Sequence, residues 1–129
     1  MNEQMTWTGK VAANLEQGQK TGLQLRKGDI ITVIASGYVK FGIGDNQWAN
    51  PASVIPPYGD DGYEHGLVAM IGDEGTHYPI GTGVLNWSVP AEGELTFLFV
   101  DKPRAYGDNS GSYDVTVQKQ KQLIVTCVN

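Results

Sequence analysis

Cysteine is almost absent from these 129 residues. Cys127 stands alone, which excludes an intrachain disulfide and any zinc site built from cysteines. Clustered basic residues are missing too. Nine Lys and Arg are scattered against fourteen Asp and Glu, for a net charge of -5, and a chain that grips phosphates needs the opposite balance. Nucleic acid is therefore not expected as a partner. No apolar run approaches the ~20 residues of a bilayer-spanning helix, so membrane insertion is not expected either. The first residues, Met1-Asn2-Glu3-Gln4-Met5, carry neither a basic nor an apolar stretch and lack the marks of a secretory signal. Cytoplasmic synthesis is the expectation, with release or surface association by another route left open.

Helical periodicity is also missing. No window of eleven or more residues keeps apolar positions at helical spacing. Instead, Gly and Pro punctuate the chain every eight to twelve residues, the spacing of an all-β domain. Strand patterns fall at residues 7–11, around Leu23 and Leu25, and at 30–38, where Gly37 marks a bulge or close approach. Further ones fall at 67–71, 77–80, 83–89 with Leu85 and Trp87 on one face, 94–100, and 113–117. Residues 94–100 are apolar on both faces and read as a central strand. About nine short strands predict an all-β fold, a small β-sandwich or jelly roll. The length suits a single domain over 1–129, with 1–5 frayed and 118–129 a C-terminal extension holding a last strand at 123–128. That strand either completes its own sheet or serves as a subunit contact.

Signatures of catalysis are absent as well. There is no Gly-x-Ser-x-Gly elbow, no Walker loop and no His-Glu-x-x-His. The two histidines, His65 and His77, have no partner placed by sequence and read as surface or loop residues. The chain is not expected to be an enzyme.

Two segments remain. Residues 42–65 are rich in Gly, Pro and Asp with little periodicity, and a loop of that length in a small domain is usually functional. Residues 100–113 begin where the most apolar strand ends. They hold Asp101, Asp108 and Asn109, oxygen donors suited to a hard cation such as calcium, which takes six to eight oxygens in irregular geometry. An EF-hand is excluded: counting from Asp108, the sixth position is Tyr113 rather than Gly and the twelfth is Lys119 rather than Glu. The competing reading is a plain hairpin, since Asp, Asn, Ser and Gly are good turn formers.

A longer pattern weighs on that choice. Trp7-Thr8-Gly9-Lys10-Val11-Ala12-Ala13-Asn14 with Gly18, then Lys27-Gly28-Asp29-Ile30-Ile31-Thr32-Val33, Gly37, Trp48, residues 67–72, Thr82-Gly83 and Tyr106-Gly107-Asp108-Asn109-Ser110-Gly111 follow in order. Together they resemble the PA-IL (LecA)-like bacterial galactose-binding lectins, over most of the chain. The resemblance implies a jelly-roll β-sandwich and one Ca2+ that bridges two adjacent sugar hydroxyls. It places the metal on the side chains of Asp101, Asp108 and Asn109 and on the backbone carbonyls of Phe41 and Ala105. It places the sugar against Phe41, Asp101, Lys102, Ala105 and Asp108. In the long loop, Ile55 and Tyr58 stand where the family has His and Gln, so Tyr58 and His65 are the expected substitutes there. Ala105 stands where the family has Thr and Arg104 where it has Gly at a bend.

The expectation is a calcium-dependent lectin for galactosides or related glycans, assembled as a homodimer or homotetramer because linked weak sites gain avidity. The alternative is a lectin-like module with altered or lost sugar binding, kept as a structural or protein-interaction domain. A third, an enzyme or toxin accessory using His65 near Asp60 and Asp61, has the least behind it.

Overall fold

The computed structural model describes residues 5–45, 47–52 and 65–120. Ile55, Tyr58, Asp60, Asp61 and the expected strand at 123–128 lie outside the described residues. Among the described residues, ten strands in antiparallel pairing form two sheets packed as an all-β sandwich. In the larger sheet, β5 (Trp48–Ala49), β4 (Val39–Lys40), β10 (Ser110–Lys119), β3 (Ile30–Ser36) and β8 (Gly83–Ser88) follow in that order, and β1 (Thr6–Ala12) pairs with the other edge of β10. The smaller sheet runs β2 (Gln19–Leu25), β9 (Gly93–Phe99), β6 (Leu67–Ile71) and β7 (Tyr78–Pro79). Among the described residues the only helical element is a 3-10 turn at Tyr106–Asp108, and no helix is long and apolar enough to cross a membrane.

The core lies between the sheets. Leu23 and Leu25 of β2, Ile31 and Val33 of β3, and Leu95, Phe97 and Phe99 of β9 are all buried, each contributing about 1.5–3 kcal/mol by leaving water. The central position expected for residues 94–100 holds, since β9 pairs with β2 on one side and β6 on the other. Phe99 meets Tyr113 of β10 edge-on at 6.0 Å, which locks the two strands that flank the 100–109 connection. At another end of β10, the buried Lys119 ammonium lies 3.3 Å from the buried Asp29 carboxylate. The Met5 carbonyl accepts the Lys119 N–H at 2.7 Å, so order reaches back to Met5.

Two readings of the sequence change here. The strand expected over 30–38 stops at Ser36, because Gly37 takes φ +105, and resumes as β4. Register survives the break, with Ser36 facing Asp114 and Val39 facing Gly111. Gly111, the partner of Val39 across the break, is a second positive-φ glycine. An added Cβ at either would meet a carbonyl of the facing chain at 3.2 or 3.0 Å, so only glycine lets the backbones come this close. The second change concerns β8. Val33 pairs with Val84 but Ile31 pairs with Trp87, so one residue of β3, Thr32, faces two of β8, Leu85 and Asn86. The extra residue is absorbed at Asn86, with φ +51 and its N–H donated to the Thr32 hydroxyl at 3.1 Å. Leu85 is thereby turned out, 78% exposed, while Val84 and Trp87 pack on the core.

Candidate functional site

The chain leaves β9 at Phe99, turns through residues 100–105, makes the 3-10 turn and enters β10 at Ser110. Pro103 and Arg104 form the tip of the first bend, closed by the Ala105 N–H donating to the Lys102 carbonyl at 2.9 Å. Arg104 holds φ +69, the left-handed value that the third residue of such a turn requires. Its N–H reaches the Glu16 carboxylate oxygens at 3.3 and 3.4 Å, which ties the bend to the β1–β2 connection.

Asp101 lies inside this frame, 5% exposed. Its N–H donates to the Tyr106 hydroxyl at 2.9 Å, its Oδ1 accepts the Lys102 N–H at 2.7 Å, and its Oδ2 accepts from Asn109 Nδ2 at 2.8 Å. Burial pushes the Tyr106 hydroxyl above the usual tyrosine range, so it stays protonated in neutral solution. Asn109, 6% exposed, closes the 3-10 turn with its N–H on the Tyr106 carbonyl at 3.1 Å. Its side-chain amide nitrogen also donates to the Ala13 carbonyl at 2.9 Å. Both of these partners are acceptors, so the amide orientation is fixed and the oxygen must face the other way. That oxygen, Asn109 Oδ1, is buried without a hydrogen-bond partner among the described residues.

Asp108, next to it in the chain, is exposed, as is Lys102, while Ala105 is half-buried. Phe41 follows directly on β4. The last β4–β10 pair is Lys40 with Ser110, so the next residues outward on the two chains are Phe41 and Asn109. The Phe41 N–H is held by the Gln47 carbonyl at 2.9 Å.

His65 is the correction. Read from sequence as a surface or loop residue and as a sugar contact in the long loop, it is 3% exposed. Its ring stacks on Phe41 at 4.0 Å and 12° and on Phe99 at 5.8 Å and 17°. Nδ1 lies 3.0 Å from the Val100 carbonyl, to which it donates, and 3.6 Å from Asp101 Oδ1. A ring this enclosed backs the site rather than presenting a face to a ligand. Tyr106, Ala13 and Glu16 were missed as supports. Tyr106 and Ala13 left a signal only as members of the ordered pattern, at 106–111 and 7–14, and Glu16 left none.

Among the described residues no three His, Cys, Asp or Glu side chains converge as a metal cluster. The candidate donors are oxygens: the Asp101 carboxylate and the Asn109 amide, which meet, and the exposed Asp108 carboxylate next to Asn109 in the chain. That set suits a hard cation of irregular coordination and offers nothing to metals that prefer nitrogen or sulfur. The lone amide oxygen of Asn109 fits the same purpose, since a buried acceptor left unpaired costs roughly 1–3 kcal/mol.

The PA-IL-like protein family model matches residues 6–122. Lectin A of Photorhabdus laumondii subsp. laumondii is 44% identical over 111 residues, which are 86% of this chain and 89% of that protein. Among solved structures, the EclA N-terminal domain, a PllA-like lectin, superposes with a TM-score of 0.78 at 38% identity. The match covers 92% of this chain and all of that one.

Proposed function

The chain belongs to the PA-IL-like family, a family of lectins rather than enzymes, and on that premise we propose that it binds galactosides through a calcium ion held in the 100–109 connection. Asp101, Asp108 and Asn109 would supply side-chain oxygens, and Phe41 and Ala105 backbone carbonyls. The observation that carries this reading is Asn109 Oδ1: buried, oriented by two donated hydrogen bonds, and without a partner of its own among the described residues. A bound cation would take that oxygen and offer its remaining positions to two neighbouring sugar hydroxyls. This chain's own part is orientation. Tyr106 and Lys102 hold Asp101 by its N–H and Oδ1, and Asn109 holds its Oδ2, so the carboxylate stays in place before a ligand arrives.

Galactose is favoured as the sugar because the calcium side chains Asp101, Asp108 and Asn109 match the family set. Ala105 lacks the hydroxyl and Ile55 and Tyr58 lack the His and Gln chemistry that would hold the rest of the ring. Discrimination then rests on the two hydroxyls at the metal, where charge-assisted contacts are about twice as strong as neutral ones. Such single-site binding is weak, and assembly as a homodimer or homotetramer would raise avidity.

Calorimetry with galactose, with and without EDTA, tests the proposal. The expected result is binding heat that disappears with chelator and returns with calcium. An arabinoside of galactose configuration, which lacks the hydroxymethyl group, should bind nearly as well, and glucose, inverted at C4, should lose most of the heat. Heat that persists in EDTA overturns the calcium reading. Heat from no sugar in a broad panel favours the alternative, a lectin-like module that has lost its sugar.

A further inference from the structure

We propose that His65 is a positioning residue for the calcium site, holding its two halves at a fixed spacing; this rests on the calcium reading above. The halves come from distant parts of the chain. Phe41 follows β4 of the larger sheet, whereas Asp101 follows β9 of the smaller one. Among the described residues, His65 is the side chain that grips both. Its ring lies flat on Phe41 at 4.0 Å on one side and near-parallel to Phe99, two residues before Asp101, at 5.8 Å. Its Nδ1–H donates to the carbonyl of Val100, the residue directly before Asp101, at 3.0 Å. One imidazole thus sets the height of the Phe41 backbone and the path of the chain into Asp101.

Neither grip is replaceable by chance. The stack needs a planar ring and the Val100 carbonyl needs a donor, and His65 combines them in a buried place where water cannot substitute. Outer contacts of this kind typically govern affinity roughly 10–100-fold, because a metal site that must first be ordered binds more weakly.

The test uses His65→Ala, with His65→Asn, which keeps a donor near Val100, and His65→Phe, which keeps the stack. Calcium affinity is measured by calorimetry. Amide hydrogen exchange is followed in the calcium-free proteins. In His65→Ala we expect calcium binding about tenfold weaker or more, with partial recovery in both other variants. The Asp101 amide, bonded to Tyr106, and the Phe41 amide, bonded to Gln47, should exchange faster. The Val89 amide, bonded to Asp29 across the molecule, should not change. If wild type binds calcium and His65→Ala binds it equally, or exchange rises uniformly, the positioning role is overturned and His65 is plain core. If His65→Ala does not fold, the same readings on His65→Asn and His65→Phe decide, and wild-type affinity in both overturns the role. Wild-type protein that takes up no calcium overturns this inference together with the calcium reading.

Discussion

Arg104 sits at φ +69 directly after Pro103, and its backbone rather than its side chain makes the contact with Glu16. A branched-off Cβ in the left-handed region costs about 1–2 kcal/mol. Glycine there would remove that strain but lose roughly 0.5–1 kcal/mol to a more flexible unfolded chain. Relief wins by a small margin, so Arg104→Gly should stabilise the protein by about 0.5–1 kcal/mol. A higher urea midpoint at unchanged slope is the expected record; a lower one would mean that the guanidinium makes a compensating contact. The same scale shows which site residues a sequence can reveal. Asp101, Asp108 and Asn109 were legible as candidates because they share one short connection, and the fold brings Asp101 and Asn109 into contact. His65 and Tyr106 were not, since their roles come from rings and hydroxyls packed against partners elsewhere. The Asn109 amide depends on Ala13, 96 positions away in the chain.

Among the strands, β8 carries the sharpest test. Its bulge at Asn86 reverses the inward and outward faces, so Val84 packs on the core and Leu85 does not. Leu85→Lys should therefore change stability by less than about 0.5 kcal/mol. Val84→Lys should cost several times more, because it sets a charge against the core. Chemical denaturation of the two variants distinguishes the bulged strand from a regular one, in which Leu85 would be the costly position. The bulge was hidden because Val84-Leu85-Asn86-Trp87 reads equally well with either parity, and only pairing with Thr32 decides. The β2, β6 and β9 strands were legible for the opposite reason. Leu23 and Leu25, residues 67–71 and the doubly apolar 94–100 each bury the face that their pattern predicts. Two-residue strands such as β4 and β5 have no pattern of their own and exist because β10 offers β4 an edge, which β4 in turn passes to β5.

For the whole molecule, a ligand that binds only the folded state adds RT ln(1 + [L]/Kd), about 2.7 kcal/mol at a hundredfold excess. Calcium at that excess should raise the melting temperature by roughly 10 °C in a domain of this size. EDTA should reverse the gain, and Asp101→Ala should abolish it by removing one of the two proposed charged ligands. A melting temperature indifferent to calcium would count against the site. The family and the β-sandwich were legible in the sequence over most of its length, because Gly, Trp and the 106–111 motif recur in order. The pairing of the sheets was not, because register is fixed by packing across the sandwich. One such pairing has a consequence in time. β10 lies between β1 on one side and β3 with β4 on the other, joining Thr6 to Gln118 and Ile31 to Lys119. Strands β2, β6, β7 and β9 can pair as soon as they exist, but β1, β3 and β4 wait with open edges until the ribosome has delivered residue 119. The larger sheet, and with it the Asn109 end of the candidate site, therefore closes after the smaller one, across pairings as far apart in sequence as Thr6 and Gln118.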